Sequence, residues 1–233
     1  MTSNNVVKAN FNKKHLWKII LIVIVVVGLF VLKSSIVIVD SGEIGVPVLF
    51  GKVQSYIIED GLSIVNPMIK VVRYPVRIQE YTMSSQADRG SVKGDDAIDI
   101  KTSDGISVRI DMTVWWYIDE TKAFTIYRKI AKDSREIEPK ILRPATRAVM
   151  RDVAVQFTME ELYTGKRDQF TNTAIERMKN IIEEKNLVLN KVLIRSIKLP
   201  NQVEEAISRK MKTKQESDEM EYRKEIAEKT AEI

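Results

Sequence analysis

"KTSDGISVRIDMTVWWYI", from Lys101 to Ile118, decides the fold. Asp104-Gly105 between apolar runs is a strong hairpin signal. After it, Ile106, Val108, Ile110, Met112, Val114, Trp116 and Ile118 alternate with other residues, so they share one face of a strand. Ser107, Arg109, Asp111, Thr113, Trp115 and Tyr117 fall on the opposite face. There Trp115 and Tyr117 read either as core beneath a covering helix or as an interface with a neighbour.

Towards the N-terminus the strand pattern continues. "SSQADRGSVKGDDA", Ser84 to Ala97, is polar and reads as a mobile loop. Val72, Tyr74, Val76 and Ile78 alternate, and the phase slips near Glu80 before Tyr81 and Met83. Asn66-Pro67 and Asp60-Gly61 read as turns. "LSIVNPMI", Leu62 to Ile69, suits ordinary turn and core packing or a segment against the outer leaflet. Ile44, Val46, Val48 and Phe50 alternate with Pro47 on the other face, which suggests an edge strand or a bulge.

Towards the C-terminus the period becomes helical after Asp119. One helix covers roughly Thr121 to Ala131 and a second Ile137 to Val155, kinked at Pro144. Thr158 and Glu161 match the capping box, and Phe170, Ala174, Met178, Ile181 and Ile182 form the stripe of the helix that follows. "LVLNKVLIRSIKL", Leu187 to Leu199, returns to strand, and Pro200 suits the start of a last helix. From Arg209 that helix is dense in both signs of charge. Its apolar residues, Ile207, Met211, Met220, Ile226 and Ala227, are too sparse for a core and suit an extended helix or coiled-coil stem. The expected class is α+β.

The other end is apolar from Leu16 to Leu32, apart from Lys18. As a helix this run covers about 25 Å, slightly less than a hydrocarbon core of about 30 Å. Lys18 and Lys33 extend it by reaching for headgroups, and Trp17 suits the interface. A signal peptide would use Lys8, Lys13 and Lys14 as its basic region, but no A-x-A-like cleavage site follows Leu32. Two buried strands would need a better turn than Gly28. The reading is therefore an uncleaved anchor marked by Trp17, Lys18, Ile19, Leu32 and Lys33. Lys8, Lys13, Lys14 and Lys18 precede the span with no acid, so the positive-inside rule keeps the N-terminus in the cytoplasm and exports the body. The expected order is a basic tail (1–15), an anchor (16–33), a body (36–199) and a stem (200–233).

Net charge is +5, and the five lysines up to Lys33 account for all of it. The body is neutral, which argues against a nucleic-acid surface. The chain has no cysteine, and its one histidine is His15, beside the anchor. There is no G-x-S-x-G elbow, and Gly165-Lys166 lacks the rest of a P-loop. Asp88, Asp95, Asp96, Asp99 and Asp104 fit no calcium-loop spacing and read as a solvated loop. No enzyme activity, cofactor or metal is expected. Arg143, Arg147 and Arg151 form one helical stripe that suits a solvated face, pairs with acids of the same chain, an acidic face of a neighbouring subunit, or anionic lipid.

The ordered set resembles the SPFH or band 7 superfamily, which includes stomatins, prohibitins, flotillins and bacterial membrane-protease regulators. "GEIGVPVLFGKV" (Gly42 to Val53) looks like its opening strand pair, and "EDGLSIVNP" (Glu59 to Pro67) resembles its P-G-L turn with Asp60 in place of Pro. "KTSDGISVRIDMTVWWYI" looks like the T-x-D-G hairpin of the stomatin side. "TMEELYTGKRDQF" and "VLIRSIKLPNQVEEAISRKMKTKQESDEMEYRKEIAEK" are similar to prohibitins. The resemblance implies an anchor, a β-rich and an α/β subdomain, and a charged coiled coil. It implies a ring-like oligomer of this chain or a paralogue, contact with membrane lipid, and regulation of a membrane-bound AAA protease. The alternative is a stomatin-like modulator of channels or transporters. The expected place is the cell (inner) membrane, or the mitochondrial inner membrane in a eukaryote. Arg143, Arg147, Arg151, Ile207, Met211 and Ile226 are the candidate subunit contacts.

Overall fold

The computed structural model describes residues 13–231, so Lys8 and most of the basic tail lie outside the described residues, as does Ile233. The chain divides between Pro75 and Val76 into two compact units.

The first unit begins with α1 (Lys13–Ser35). The run from Leu16 to Leu32 is thus helix, and the alternative of two buried strands falls. Gly28 leaves open space within it, and the Ser35 hydroxyl donates to the Val31 carbonyl at 2.8 Å near its end. The stretch Trp17–Ser35 is long and apolar enough to cross a bilayer, and its described side chains up to Leu32 all lie exposed. β1 (Ile36–Val39) follows directly and pairs antiparallel with β4 (Gly61–Ile64). A second sheet places β2 (Glu43–Leu49) between β3 (Lys52–Val53) and β5 (Ile69–Pro75). Val39, Ile44, Val46, Val48, Ile58 and Tyr74 form the core.

Two expectations change here. β2 is central, yet Pro47 is accommodated, because the Val48 and Leu49 pairs are the whole of β3's ladder on that side. The Pro47 carbonyl accepts from the Gln54 N–H at 2.9 Å instead. Phe50 does not extend the buried face of β2. It occupies a two-residue turn with Gly51, both at positive φ, and is 82% exposed.

The second unit is built on β8 (Ser107–Ile118). One side of β8 pairs with β6 (Gln79–Met83) and then β7 (Ile98–Lys101), and the other pairs with β9 (Leu187–Lys198), all antiparallel. The apolar face read from sequence is the buried one, from Val108 to Ile118. α3 (Arg143–Ala154) and α4 (Arg167–Glu184) bury Val149, Met150, Val153, Phe170, Ala174, Met178 and Ile182. Ile181 lies at the margin of that stripe and is exposed. A short helix, α2 (Ala123–Lys129), follows β8, and α5 (Asn201–Ala231) closes the described chain.

Local chemistry explains the irregularities. Pro144 has no N–H for the Lys140 carbonyl, and the turn before α3 widens to a π-helix over Glu138–Leu142, with the Arg143 N–H donating to the Glu138 carbonyl. The capping box forms reciprocally: Thr158 N–H donates to Glu161 Oε2 at 3.0 Å, and Glu161 N–H to Thr158 Oγ1 at 3.3 Å. The expected alternation through Val76 and Ile78 stops because β5 ends at Pro75, where the units divide, and Ile78 is exposed. That break is the phase slip near Glu80. Trp115 and Tyr117 are half-buried, and the same face of β8 is buried further along, at Asp111 and Thr113, where the loop from Ser84 bonds to it.

Candidate functional site

The loop from Ser84 to Ala97 is pinned, contrary to its polar composition. Ser91 N–H donates to the Thr82 carbonyl at 2.8 Å, Asp96 N–H to the Ser84 carbonyl at 2.9 Å, and Ser85 N–H to Asp111 Oδ1 at 2.7 Å. Its end carries a charge inwards. The Asp96 side chain is 1% exposed, so the reading of this aspartate as part of a solvated loop is wrong. Oδ1 accepts from Arg143 Nη2 and Arg147 Nη2, each at 2.7 Å, and Oδ2 accepts from the Tyr81 hydroxyl at 3.2 Å. Burial pushes the Asp96 carboxyl up, and the two guanidiniums outweigh it and hold the group below its usual value. Burial, then the Asp96 charge, pushes the Tyr81 phenol well above its usual value. Burial also raises the Glu138 carboxyl nearby.

The arginine stripe therefore meets its own chain. Arg147 also donates to the Asp96 carbonyl at 2.9 Å and the Ala97 carbonyl at 3.2 Å, and Arg151 Nε to the Asp99 carbonyl at 3.3 Å. Arg147 and Arg151 thus cap the outer edge where β7 begins, while Arg143 reaches only the Asp96 carboxylate. Unpaired strand edges invite foreign strands. β9 is handled differently: two bulges interrupt its pairing with β8, and Lys191, Arg195 and Lys198 line it. Sequence reasoning found the stripe but not Asp96, whose only signal is its place just before the apolar Ala97-Ile98.

A second cluster joins the body to α5. Asp104, in the hairpin before β8, accepts from the Met159 N–H at 3.3 Å, and the Ser103 N–H donates to the Phe157 carbonyl at 2.9 Å. Lys210 Nζ donates to Glu160 at 2.6 Å. Val203, Ala206, Ile207 and Met211 line a groove of about 370 Å³ with Ile106 and Met159. Ile207 is half-buried beside that groove, and Met211 is exposed at its rim. Ile226 lies near the far end of α5 and is exposed. Of the anchor residues, Trp17, Lys18, Ile19, Leu32 and Lys33 all expose their side chains on α1.

One arrangement invites a catalytic reading. Lys198 Nζ donates to Ser85 Oγ at 2.5 Å, as in a serine–lysine dyad. Ser85 Oγ in turn donates to Asp111 Oδ2 at 3.1 Å, and Ser196 Oγ donates to the same oxygen at 3.0 Å. Lys198 Nζ also lies 3.9 Å from Asp111 Oδ2, so charge pairing as well as hydrogen bonds holds these side chains together. The cluster reads as a clasp between the loop, β8 and β9. Among the described residues no group of acids and histidines is placed to hold a metal ion.

The pattern of the SPFH domain / Band 7 family matches residues 37–232. No curated protein matches the chain. Members of this family generally oligomerise and associate with membranes as scaffolds, which fits the exposed apolar helix at the N-terminus. With most of its length matched, the chain belongs to the SPFH domain / Band 7 family.

Proposed function

We propose that the protein is a membrane-anchored oligomeric scaffold of the prohibitin type. α1 crosses the membrane with its N-terminus in the cytoplasm and holds each body at one depth outside it. Side-by-side bodies and parallel α5 helices then assemble where tethering raises their effective concentration. A closed ring leaves no unpaired interface and fences a membrane patch. The ring controls which membrane proteins reach a membrane-bound AAA protease, and the chain itself catalyses nothing. The observation that carries this reading is α5, whose outer length exposes Met220, Tyr222 and Ile226 far beyond the turns that dock on the body. Helices in proteins draw most of their stability from packing, so an outer length this exposed suits partner helices.

Pulse-chase of membrane proteins in wild-type and deletion strains tests the proposal. Altered turnover with intact protease activity is expected. Unchanged turnover with altered ion or solute flux would favour the stomatin-like reading. The Asp104-Gly105 hairpin supports that alternative, since it resembles the stomatin side.

A further inference from the structure

Of the three arginines on the α3 stripe, only two meet an acid. Arg143 and Arg147 share the Asp96 carboxylate. Arg151 is exposed and has no acid partner among the described residues. It donates from Nε to the Asp99 carbonyl, which leaves its two Nη groups open.

Backbone direction shows what lies beside it. In an antiparallel strand, successive residues turn their N–H and carbonyl groups to opposite edges. The Ala97 and Asp99 carbonyls accept from Arg147 and Arg151, and the Ser103 N–H donates to the Phe157 carbonyl at 2.9 Å. Residues 97, 99, 101 and 103 therefore face the outer edge of β7. The Thr102 N–H points the other way, to the Ile106 carbonyl across the hairpin. A gap remains between the two covered ends. Among the described residues, the Asp99 N–H and both backbone groups of Lys101 have no partner on that edge.

A groove of about 360 Å³ passes this gap, lined by Asp99, Ile100, Lys101, Ser107, Arg151 and Val155. Its size falls within the usual range of ligand sites, about 300–1,000 Å³. Val155, the residue that caps α3, is 55% exposed there. The rim is cationic. Lys101 and Arg151 are exposed, and the one acid in the lining, Asp99, turns its carboxylate to Arg109 at 3.1 Å.

These features together fit one kind of ligand. Unpaired strand groups bind an extended backbone, an apolar wall takes a side chain, and an unneutralised guanidinium takes a carboxylate. The gap is also short, because Arg147 covers one end and the Phe157 carbonyl the other. A continuous strand would run into both, whereas a chain terminus fits. We infer that the groove between β7 and α3 captures the carboxyl-terminal end of another protein in extended form. Its last residues pair antiparallel with Lys101, an apolar side chain rests on Val155, and the terminal carboxylate meets Arg151. Such a site lets a scaffold choose proteins by their carboxyl ends. It depends on the second unit alone, and not on a ring or on the side of the membrane that the body occupies.

The full chain in detergent is tested against arrayed peptides whose last four residues are randomised, each made with a free carboxylate and with a terminal amide. The expected result is a set of binders with apolar last residues whose amides bind at least about tenfold more weakly, as loss of a charged hydrogen bond implies. Arg151→Gln should remove that difference, and Val155→Asp should remove binding. Both positions are exposed, so the fold should survive, which thermal unfolding checks. Lys101→Pro deletes an N–H that the β8 ladder does not use, so it should weaken binding in a folded protein. Equal binding of acids and amides across the array would overturn the proposal, as would a carboxylate preference that survives Arg151→Gln. Full binding by folded Lys101→Pro would overturn the strand pairing. The chain has no cysteine, so Val155→Cys can be labelled alone. Its protection from a soluble maleimide in the assembled protein, without peptide binding, would overturn the proposal and assign the groove to a second copy.

Discussion

Arg147 holds Asp96 at two points, donating to its carboxylate at 2.7 Å and to its backbone carbonyl at 2.9 Å. One guanidinium thus neutralises a buried charge and caps the strand that begins beside it. Arg143 shares the carboxylate oxygen but not the backbone contacts, and it is more exposed than Arg147, at 43% against 18%.

Removing one member of a buried pair strands the other. Asp96→Ala is expected to destabilise the second unit by about 3–5 kcal/mol. Arg147→Ala should cost more than Arg143→Ala, because it also uncovers the Asp96 and Ala97 carbonyls. Thermal unfolding of the detergent-solubilised protein checks the order. An Arg143→Ala variant as unstable as Arg147→Ala would show that the shared carboxylate, and not the edge capping, carries the effect.

The same pair fixes a pH dependence. Asp96 is depressed in the folded protein, from an unfolded value of about 3.9. Its contribution is therefore complete above that value and is lost as pH falls through the folded value. The melting temperature of the wild type should drop on acidification below about pH 4, and Asp96→Asn should flatten part of that drop. Parallel curves for the two proteins would assign the acid sensitivity to other groups.

Gly45 supplies a test of the first unit. Its N–H and carbonyl both bond to Ile58 at 2.8 Å, while β5 passes on its other side. A Cβ there would lie 2.7 Å from Val71 Cγ1 and 3.1 Å from Ile58 Cβ. Gly45→Ala should cost about 1–3 kcal/mol through overpacking. Gly51→Ala meets no neighbour, and its cost would come from its left-handed backbone alone. Protease sensitivity near residues 54–60 would report the Gly45 defect directly.

Much of the fold was legible because one rule governed each element. β8 alternates cleanly because helices bury one of its faces, and α4 shows its stripe for the same reason. The misreadings share a different cause. Phe50 continued the alternation of β2 in sequence, but Gly51 allowed the chain to turn first. The Ser84–Ala97 loop looked mobile because its anchoring bonds go to residues distant in sequence, such as Asp111. Asp96 was missed because its partners, Arg143 and Arg147, lie on another element. Spacing reveals a stripe, whereas the face it meets depends on tertiary packing.

Orientation is predicted from the lysines before the span. With the body outside, a maleimide that cannot cross the membrane should label Ser91→Cys in intact cells, or in spheroplasts where an outer membrane intervenes. Lys18 marks the opposite flank, so Ser3→Cys should react only after lysis. The reverse pattern would place the body in the cytoplasm and change which protease or channel domains it can meet.

Assembly separates the two halves of α5. Its first turns meet the body at the Lys210–Glu160 pair, beside the groove that Ile207 and Met211 line. Asp at positions 207 and 211 would therefore disturb the attachment of the helix as well as any subunit contact. Met220 and Tyr222 lie beyond that docking and are exposed, at 72% and 64%. A double change, Met220→Asp with Tyr222→Asp, should leave thermal stability of the body within about 0.5 kcal/mol, as exposed substitutions usually do. If parallel stems join the subunits, the same variant should lose its large complexes on native gels. It should also reproduce the deletion phenotype in membrane-protein turnover while still being inserted at normal levels. Loss of stability without loss of assembly would reverse the assignment, since it would mean that the outer half of α5 supports its own body and that the globular units alone bring the subunits together.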